Sequence, residues 1–72
     1  MYSESFAEKL KKARTDIGFT QIEVETETNI KQSALAKYET GKLEPSLETL
    51  GILADFYNVS VDWLLGTKGQ NK

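Results

Sequence analysis

The segment Thr20–Lys42 reads TQIEVETETNIKQSALAKYETGK, and it carries start and stop signals for two consecutive helices. Its first four residues match the capping box Thr-x-x-Glu, in which each side chain accepts a hydrogen bond from the other residue's backbone N–H. Asn29 and Gly41 are residue types that readily take the left-handed conformation in which many helices end. The spacing of these signals predicts one helix over about residues 20–28 and a second over about residues 31–39.

The first of these two helices has an ambiguous pattern. Residues 22–30 alternate apolar or β-branched with polar side chains, which by periodicity alone is typical of a half-buried strand. Glu23 and Glu27 are also like charges four residues apart, an unfavourable pair on a helix. However, no other segment alternates for more than a few residues, so a strand here would have no partner. The helix is therefore the consistent prediction.

Two further amphipathic helices are predicted on either side of this segment, at about residues 5–17 and 47–57. In each, apolar residues recur every three or four positions and form one stripe. The first stripe comprises Phe6, Leu10, Ala13 and Ile17, and the second comprises Leu47, Leu50, Leu53, Ala54 and Tyr57. Further helix starts are indicated by Ser5 with Glu8, Ser46 and Ser60, and further helix ends by Gly18, Asn58 and Gly66. Five short helices fit between these signals.

The composition limits the chain to one small domain. It has 72 residues and a mass of 8.1 kDa, is 39% hydrophobic, and contains no cysteine and no histidine. Zinc-finger sites, thiol chemistry and imidazole catalysis are therefore excluded, and we expect no metal and no cofactor. No apolar run approaches the roughly 18 residues that cross a bilayer, and the N-terminus lacks the pattern of a signal peptide. We therefore expect the protein to be located in the cytosol. The five predicted helices make the expected fold class all-α.

Residues at fixed offsets through most of the chain resemble the Cro/repressor-type (XRE) helix-turn-helix family. The matching motifs are Thr20-Gln21, Thr28-Asn29-Ile30, Leu35-x-x-Tyr38-Glu39-x-Gly41-Lys42, Pro45-Ser46-Leu47 and Val59-Ser60-Val61-Asp62-Trp63-Leu64-Leu65-Gly66. The resemblance covers about residues 6–66 and implies a compact five-helix bundle of the lambda-repressor-like DNA-binding type. It implies a DNA-binding domain over residues 1–66 with the helix-turn-helix at about residues 20–39. The polar tail 67–72 is interpreted as a disordered terminus or as the start of a linker to a further effector or oligomerisation domain.

The resemblance implies that the second of the two central helices enters the major groove of double-stranded DNA. From the residues alone, Leu35 and Tyr38 lie three apart and are expected to face the core. The opposite face carries Gln32, Ser33, Ala36 and Lys37. Their amide, hydroxyl, methyl and ammonium groups suit the edges of bases, and the resemblance implies that the family's base-reading positions fall on Gln32, Ser33 and Lys37. This face is therefore the candidate for base reading. The alternative is that it is merely a solvated helix face.

A second group of residues is predicted to bind DNA phosphates, and it comprises Gln21, Lys31, Thr40 and Lys42. Gln21 combines a side-chain amide with the positive end of a helix dipole, and Thr40 and Lys42 match family positions that hold the DNA backbone. Residues 31–42 are a compact basic segment, with a net charge of +2 from three lysines and one glutamate. Lys31 stands where the family usually has a serine or threonine N-cap. It is expected either to meet a phosphate or to precede a helix that starts late or is capped by water.

Two further features are expected to be structural. Arg14 and Glu39 match family positions that form an ion pair between the first and third helices, so we expect that pair here. Trp63, Leu64 and Leu65 are too apolar for open water. Their spacing does not separate a role in the core from a contact in a homodimer, and both alternatives stay open.

Glu25 departs from the family, which normally has alanine at a position that faces the third helix. A buried and unpaired carboxylate is costly. We therefore expect Glu25 to swing outward or to pair with Lys31 or Lys37.

The residues and the resemblance together predict a sequence-specific, DNA-binding transcriptional regulator. The main prediction is a repressor that binds a palindromic operator as a dimer. A net charge of −2 and a pI near 5.0 favour an alternative, a protein-interaction module such as an antitoxin-like or anti-repressor partner. An enzyme is not expected, since no pair of side chains has nucleophile-and-base character.

Overall fold

The computed structural model describes residues 5–66, which form five α-helices. The helices are α1 (Phe6–Asp16), α2 (Gln21–Thr28), α3 (Gln32–Glu39), α4 (Leu47–Tyr57) and α5 (Val61–Leu65). The predicted all-α bundle is confirmed, and each helix lies within about one residue of its predicted bounds. The ambiguous segment after Thr20 is helical up to Thr28. The tail 67–72 lies outside the described residues, so its predicted role stays a prediction.

Side-chain caps explain where three of the helices begin. At the start of α2, the Thr20 hydroxyl accepts a hydrogen bond from the Glu23 N–H at 3.1 Å, and a Glu23 carboxylate oxygen accepts from the Thr20 N–H at 2.8 Å. The predicted capping box is therefore confirmed. Ser46 and Ser60 cap α4 and α5 in the same local way, each accepting an N–H from three residues further on. These caps satisfy N–H groups that the helices themselves leave unpaired.

Left-handed residues end the helices where the sequence predicts them. Asn29 and Asn58 are C-caps with φ of 65° and 61°, conformations that asparagine tolerates better than most residues. Gly41 follows α3 with φ of 79°, which turns the chain away from the helix axis.

Three predictions about helix ends are wrong. Ser5 is the N-cap of α1, but its ψ of 2° is far from the extended conformation of a capping residue, and the predicted box with Glu8 does not form. Ile17 and Leu47 were assigned to apolar stripes, yet they are 39% and 75% exposed. Ile17 lies at the end of α1 and Leu47 at the start of α4. At these ends of the apolar stripes, no neighbouring helix within residues 5–66 covers the side chain.

The core lies where the helices meet, with α1 packed on α3 and α5, α2 on α3 and α4, and α4 on α5. The buried apolar side chains are Phe6, Leu10, Ala13, Val24, Leu35, Tyr38, Leu50, Leu53, Ala54, Tyr57 and Leu64. Every helix contributes at least one of them. The mutual burial of these stripes, more than intrinsic helix propensity, holds helices this short in place.

The structure separates the three apolar residues of α5. Leu64 is fully buried, so of the two alternatives left open by the sequence it takes the role in the core. Trp63 and Leu65 are half-buried and pack against the core from its edge. Lys9 of α1 covers part of Trp63, because its ammonium lies 5.5 Å from the ring centroid and donates a hydrogen bond to the Trp63 carbonyl at 3.1 Å. This contact fastens α5 to α1.

Candidate nucleic-acid interface

The turn between α2 and α3 fixes the angle between these helices. The Asn29 N–H donates to the Glu25 carbonyl at 2.8 Å, and the Ile30 N–H donates to the Thr28 hydroxyl at 3.2 Å. Val24 of α2 and Leu35 of α3 are both completely buried. The turn therefore has its own hydrogen bonds, and the two helices are joined beneath it by apolar contact.

One face of α3 remains open to a partner. Leu35 and Tyr38 point into the core as predicted, with at most 8% of either side chain exposed. On the opposite side Ser33 and Lys37 are exposed, whereas Gln32 and Ala36 are half-buried. The four candidate base-reading residues, Gln32, Ser33, Ala36 and Lys37, are thus brought to one side of α3. Their hydrogen-bonding groups and one methyl group match what the major groove presents.

The Gln32 side chain is held by the protein itself. Its amide nitrogen donates to the Gln21 side-chain oxygen at 2.7 Å, and the Gln21 amide nitrogen donates to Glu39 Oε1 at 3.0 Å. An amide NH₂ has two N–H groups. These two bonds therefore leave the Gln32 side-chain oxygen and one N–H of each amide available to other partners.

Behind these glutamines, Arg14 and Glu39 form a buried ion pair between α1 and α3. Arg14 Nε and Nη2 lie 2.8 and 2.9 Å from the two carboxylate oxygens of Glu39, and Nη1 donates to the Phe19 carbonyl at 2.7 Å. Both residues are only 9% exposed. Hydrogen bonding to Glu39 raises the pKa of Arg14. The two parallel bonds fix the guanidinium plane and so the distance between the helices.

Tyr57 lies beside this ion pair on α4. Its hydroxyl is buried and has no hydrogen-bond partner among the described residues. Burial, helped by the negative charge of Glu39, raises the pKa of Tyr57 to about 12. The hydroxyl therefore stays protonated at every pH at which the protein is expected to work.

The candidate phosphate ligands lie around α3. Lys31 and Lys42 are exposed, the first just before α3 and the second just after it. Thr40 is exposed as well, but its hydroxyl donates to the Ala36 carbonyl at 3.0 Å. It would have to rotate before it could donate to a phosphate. Gln21 is half-buried at the first turn of α2, with its side chain committed in part to Glu39.

Glu25 behaves differently from what the sequence predicts. The expectation that it swings outward or pairs with Lys31 or Lys37 is wrong, because its Oε1 accepts the backbone N–H of Gln32 at 2.8 Å. The residue is half-buried between α2 and α3. The sequence does contain an indication of this contact: a lysine at the N-cap cannot accept a hydrogen bond, so an acceptor from elsewhere is needed.

Among residues 5–66, no helix has the length and apolar character needed to cross a bilayer. In the same part of the chain, no three acidic, histidine or cysteine side chains are grouped so that they could hold a metal ion.

The chain is similar to known helix-turn-helix proteins over most of its length. A family model described as Helix-turn-helix matches residues 10–64. The SPbeta prophage-derived uncharacterized HTH-type transcriptional regulator YonR of Bacillus subtilis (strain 168) is 44% identical over 66 residues, which are 90% of this chain and 61% of that protein. The HTH-type transcriptional regulator ImmR of the same organism is 42% identical over 62 residues, 86% of this chain and 49% of that protein. The HTH-type transcriptional activator BcrR of Enterococcus faecalis is 35% identical over 60 residues, 83% of this chain and 29% of that protein.

The chain thus spans between 29% and 61% of the length of these three relatives. The matched region contains α2, the turn and α3, the elements that carry the open face described above. From the extent of the match and the identity to these relatives, the chain belongs to the XRE-type helix-turn-helix family.

Proposed function

We propose that this chain is a sequence-specific DNA-binding transcriptional regulator that acts in the cytosol and inserts α3 into the major groove of double-stranded DNA. It acts by binding and catalyses no reaction. We assign it repression, because a domain that occupies an operator can block transcription without making any further contact. The names of the relatives, which are transcriptional regulators, support the proposal at the level of the class.

The observation that carries the proposal is the open polar face of α3, whose residue Gln32 is held by a chain of hydrogen bonds that leads to α1. Gln32 is bonded to Gln21, which is bonded to Glu39, which in turn is bonded to Arg14 of α1. A side chain fixed in this way loses little conformational entropy when it meets a base. A merely solvated helix face would not need such support.

In this proposal bases and phosphates are contacted by different residues. Base edges are read by Gln32, Ser33, Ala36 and Lys37, and phosphates are bound by Gln21, Lys31, Thr40 and Lys42. Phosphate contacts fix the register of the protein on the duplex, and base contacts supply the discrimination. The exposed Lys31 and Lys42, before and after α3, support this division.

We infer that two copies of the chain bind a palindromic site as a homodimer. One recognition helix covers only a few base pairs, whereas two helices about 34 Å apart read two half-sites on one face of the duplex. Trp63 and Leu65 are assigned to the contact between copies, because the core leaves them half-buried, as it does Val61 of the same helix.

The test is selection of binding sites from a pool of random duplex DNA at two salt concentrations. The wild type should enrich a palindrome with half-sites one helical turn apart. Lys37→Ala should relax the preference at one base position in each half-site, whereas Lys11→Ala, which removes the same charge from an exposed position of α1, should leave the preference unchanged. Unaltered sequence preference in Lys37→Ala would remove Lys37 from the base-reading set.

A second candidate function has one supporting observation. The net charge is −2, and Glu23 and Glu27 of α2 are exposed, so part of the surface suits a basic protein partner better than DNA. If the selection enriches no sequence and binding is weak and salt-sensitive, the protein-interaction module becomes the better assignment.

A further inference from the structure

The N-terminus of α3 receives no cap from its own N-cap residue. Lys31 occupies that position with φ of −60° and ψ of 139°, and its side chain makes no capping hydrogen bond. A helix begins with N–H groups that have no partner within the helix and carries a partial positive charge there. An ammonium group cannot accept from those N–H groups, and its charge opposes the dipole. The local sequence therefore leaves the start of α3 without support.

Glu25 of α2 provides the missing acceptor from outside α3. Its Oε1 accepts the N–H of Gln32, the first residue of α3, at 2.8 Å. A carboxylate is the strongest acceptor that a side chain can offer to a backbone N–H, and its negative charge is favourable at this end of a helix. The contact joins residues on either side of the turn, so it also ties α2 to α3.

Gln32 is consequently held at two points by one face of α2. Glu25 holds its backbone N–H, and Gln21 holds its side-chain amide at 2.7 Å. Gln21 and Glu25 are four residues apart, so they lie on the same side of α2 one turn from each other. Both contacts are made to the first residue of α3, one to its backbone and one to its side chain.

We propose that Glu25 is a positioning residue for DNA recognition: it caps α3 from α2 and so fixes the placement of Gln32 without touching DNA itself. This inference rests on the proposed function. It also accounts for an acidic side chain so close to a DNA-binding face, because its carboxylate is directed at the helix start.

The first test compares Glu25→Ala with Glu25→Gln on the DNA duplex selected by the wild type. Both variants remove the negative charge, and only glutamine keeps a side-chain oxygen that can accept the Gln32 N–H. We expect Glu25→Ala to bind about fivefold more weakly than Glu25→Gln, the ratio that corresponds to a typical cap of about 1 kcal/mol. Equal affinities in the two variants would mean that Glu25 acts only as a charge, and would overturn the proposal.

The second test needs no DNA. The Leu35 N–H donates the first intrahelical hydrogen bond of α3, to the Lys31 carbonyl at 3.0 Å, so its hydrogen exchange reports fraying of the first turn. Relative to a core amide of α4 such as Leu53, this exchange should be about fivefold faster in Glu25→Ala than in Glu25→Gln. Adding Lys31→Ser to Glu25→Ala supplies a local cap and should slow the exchange again.

The outcomes of this exchange experiment separate the cap from the proposed function. An equal change at Leu35 and Leu53, or no recovery with Lys31→Ser, overturns the cap. If the cap is found but the wild type selects no DNA, the assignment as a DNA-binding regulator fails and with it the role of Glu25 in recognition.

Discussion

Hydrogen bonds within the protein decide which atoms of a single residue are free to meet a ligand. Gln21 is a candidate phosphate ligand, yet its side chain both accepts from Gln32 and donates to Glu39. Thr40 similarly donates to a backbone carbonyl of its own helix. By contrast, Lys37 and Lys42 are exposed. We therefore expect the lysines to dominate the electrostatic part of binding, and the glutamines to contribute geometry.

Lys42→Ala should weaken binding to all duplexes by a similar factor and reduce the slope of log K against log salt by about one unit, because one phosphate contact is lost. Titrations of one selected and one unrelated duplex at several salt concentrations measure both effects. Lys11→Ala is the charge-matched control. A loss of affinity confined to the selected duplex would instead make Lys42 a base-reading residue.

Tyr57→Phe should leave the stability at neutral pH unchanged or raise it by up to about 1 kcal/mol, since the buried hydroxyl has no partner among the described residues and its desolvation is not repaid. Urea denaturation followed by the fluorescence of Trp63 measures the difference. A clear loss of stability would show that the hydroxyl makes a bond in solution.

The same substitution should alter the response to alkali. The pKa of Tyr57 is raised from 10.0 to about 12 in the folded state, so between these values the unfolded chain loses the proton while the folded chain keeps it. Stability therefore falls as pH rises through this window, by about 2 to 3 kcal/mol for this group. Between pH 9 and about 12, the free energy of unfolding of the wild type should therefore fall relative to that of Tyr57→Phe. A difference in stability that stays constant over this range would contradict the raised pKa of Tyr57.

At the scale of elements, α2 is a helix that its own residues favour only weakly. Its alternating pattern and its threonines suit a strand, and its intrinsic helix propensity is low. The capping box at one end and the left-handed Asn29 at the other define its limits, and the burial of Val24 attaches it to the core. The stability of α2 therefore depends on the residues at its two ends more than that of an Ala- or Leu-rich helix would.

Thr20→Ala should destabilise the protein by about 1 kcal/mol, because it removes one of the two hydrogen bonds of the capping box. In a domain of this size that corresponds to a decrease in Tm of about 4–8 °C. Thermal unfolding monitored by circular dichroism measures the change. Thr26→Ala, on the exposed side of the same helix, is the control and should be neutral or slightly stabilising. Equal effects of the two substitutions would contradict the role of the cap.

At the scale of the whole molecule, charge is unevenly distributed along the sequence. Residues 31–42 carry a net charge of +2, whereas residues 43–66 carry −4 from four acidic side chains and no basic one. A single copy with this balance should bind DNA weakly and with strong dependence on salt. Two copies on one duplex double the number of favourable contacts, so we expect tight binding only from a dimer.

Two chains should therefore bind one selected duplex, and insertion of about five base pairs between the half-sites should abolish tight binding, because it moves one half-site to the opposite face of the DNA. Sedimentation velocity with labelled duplex gives the stoichiometry, and titration gives the affinity. Addition of about five base pairs outside the two half-sites is the control for DNA length. Binding of a single chain with unchanged affinity for both duplexes would refute the dimer.

The sequence by itself determined the helices, their limits and most of the core. These features depend on interactions within one or two turns of chain, such as Thr20 with Glu23, the left-handed Asn29, or the stripe that begins at Phe6. Because such interactions join residues close in sequence, their spacing can be read directly. The outward face of α3 follows from the same periodicity.

Only the tertiary structure decided the partners of the polar side chains and the burial of residues at helix ends. Glu25 caps α3, Gln21 links Gln32 to Glu39, and Leu64 is buried while Leu47 is exposed. The contacts of Glu25 and Gln21 join different helices, and the burial of an end residue depends on whether a neighbouring helix reaches it. The distance between two such groups is set by the packing of whole helices, a quantity that no local pattern of residues contains.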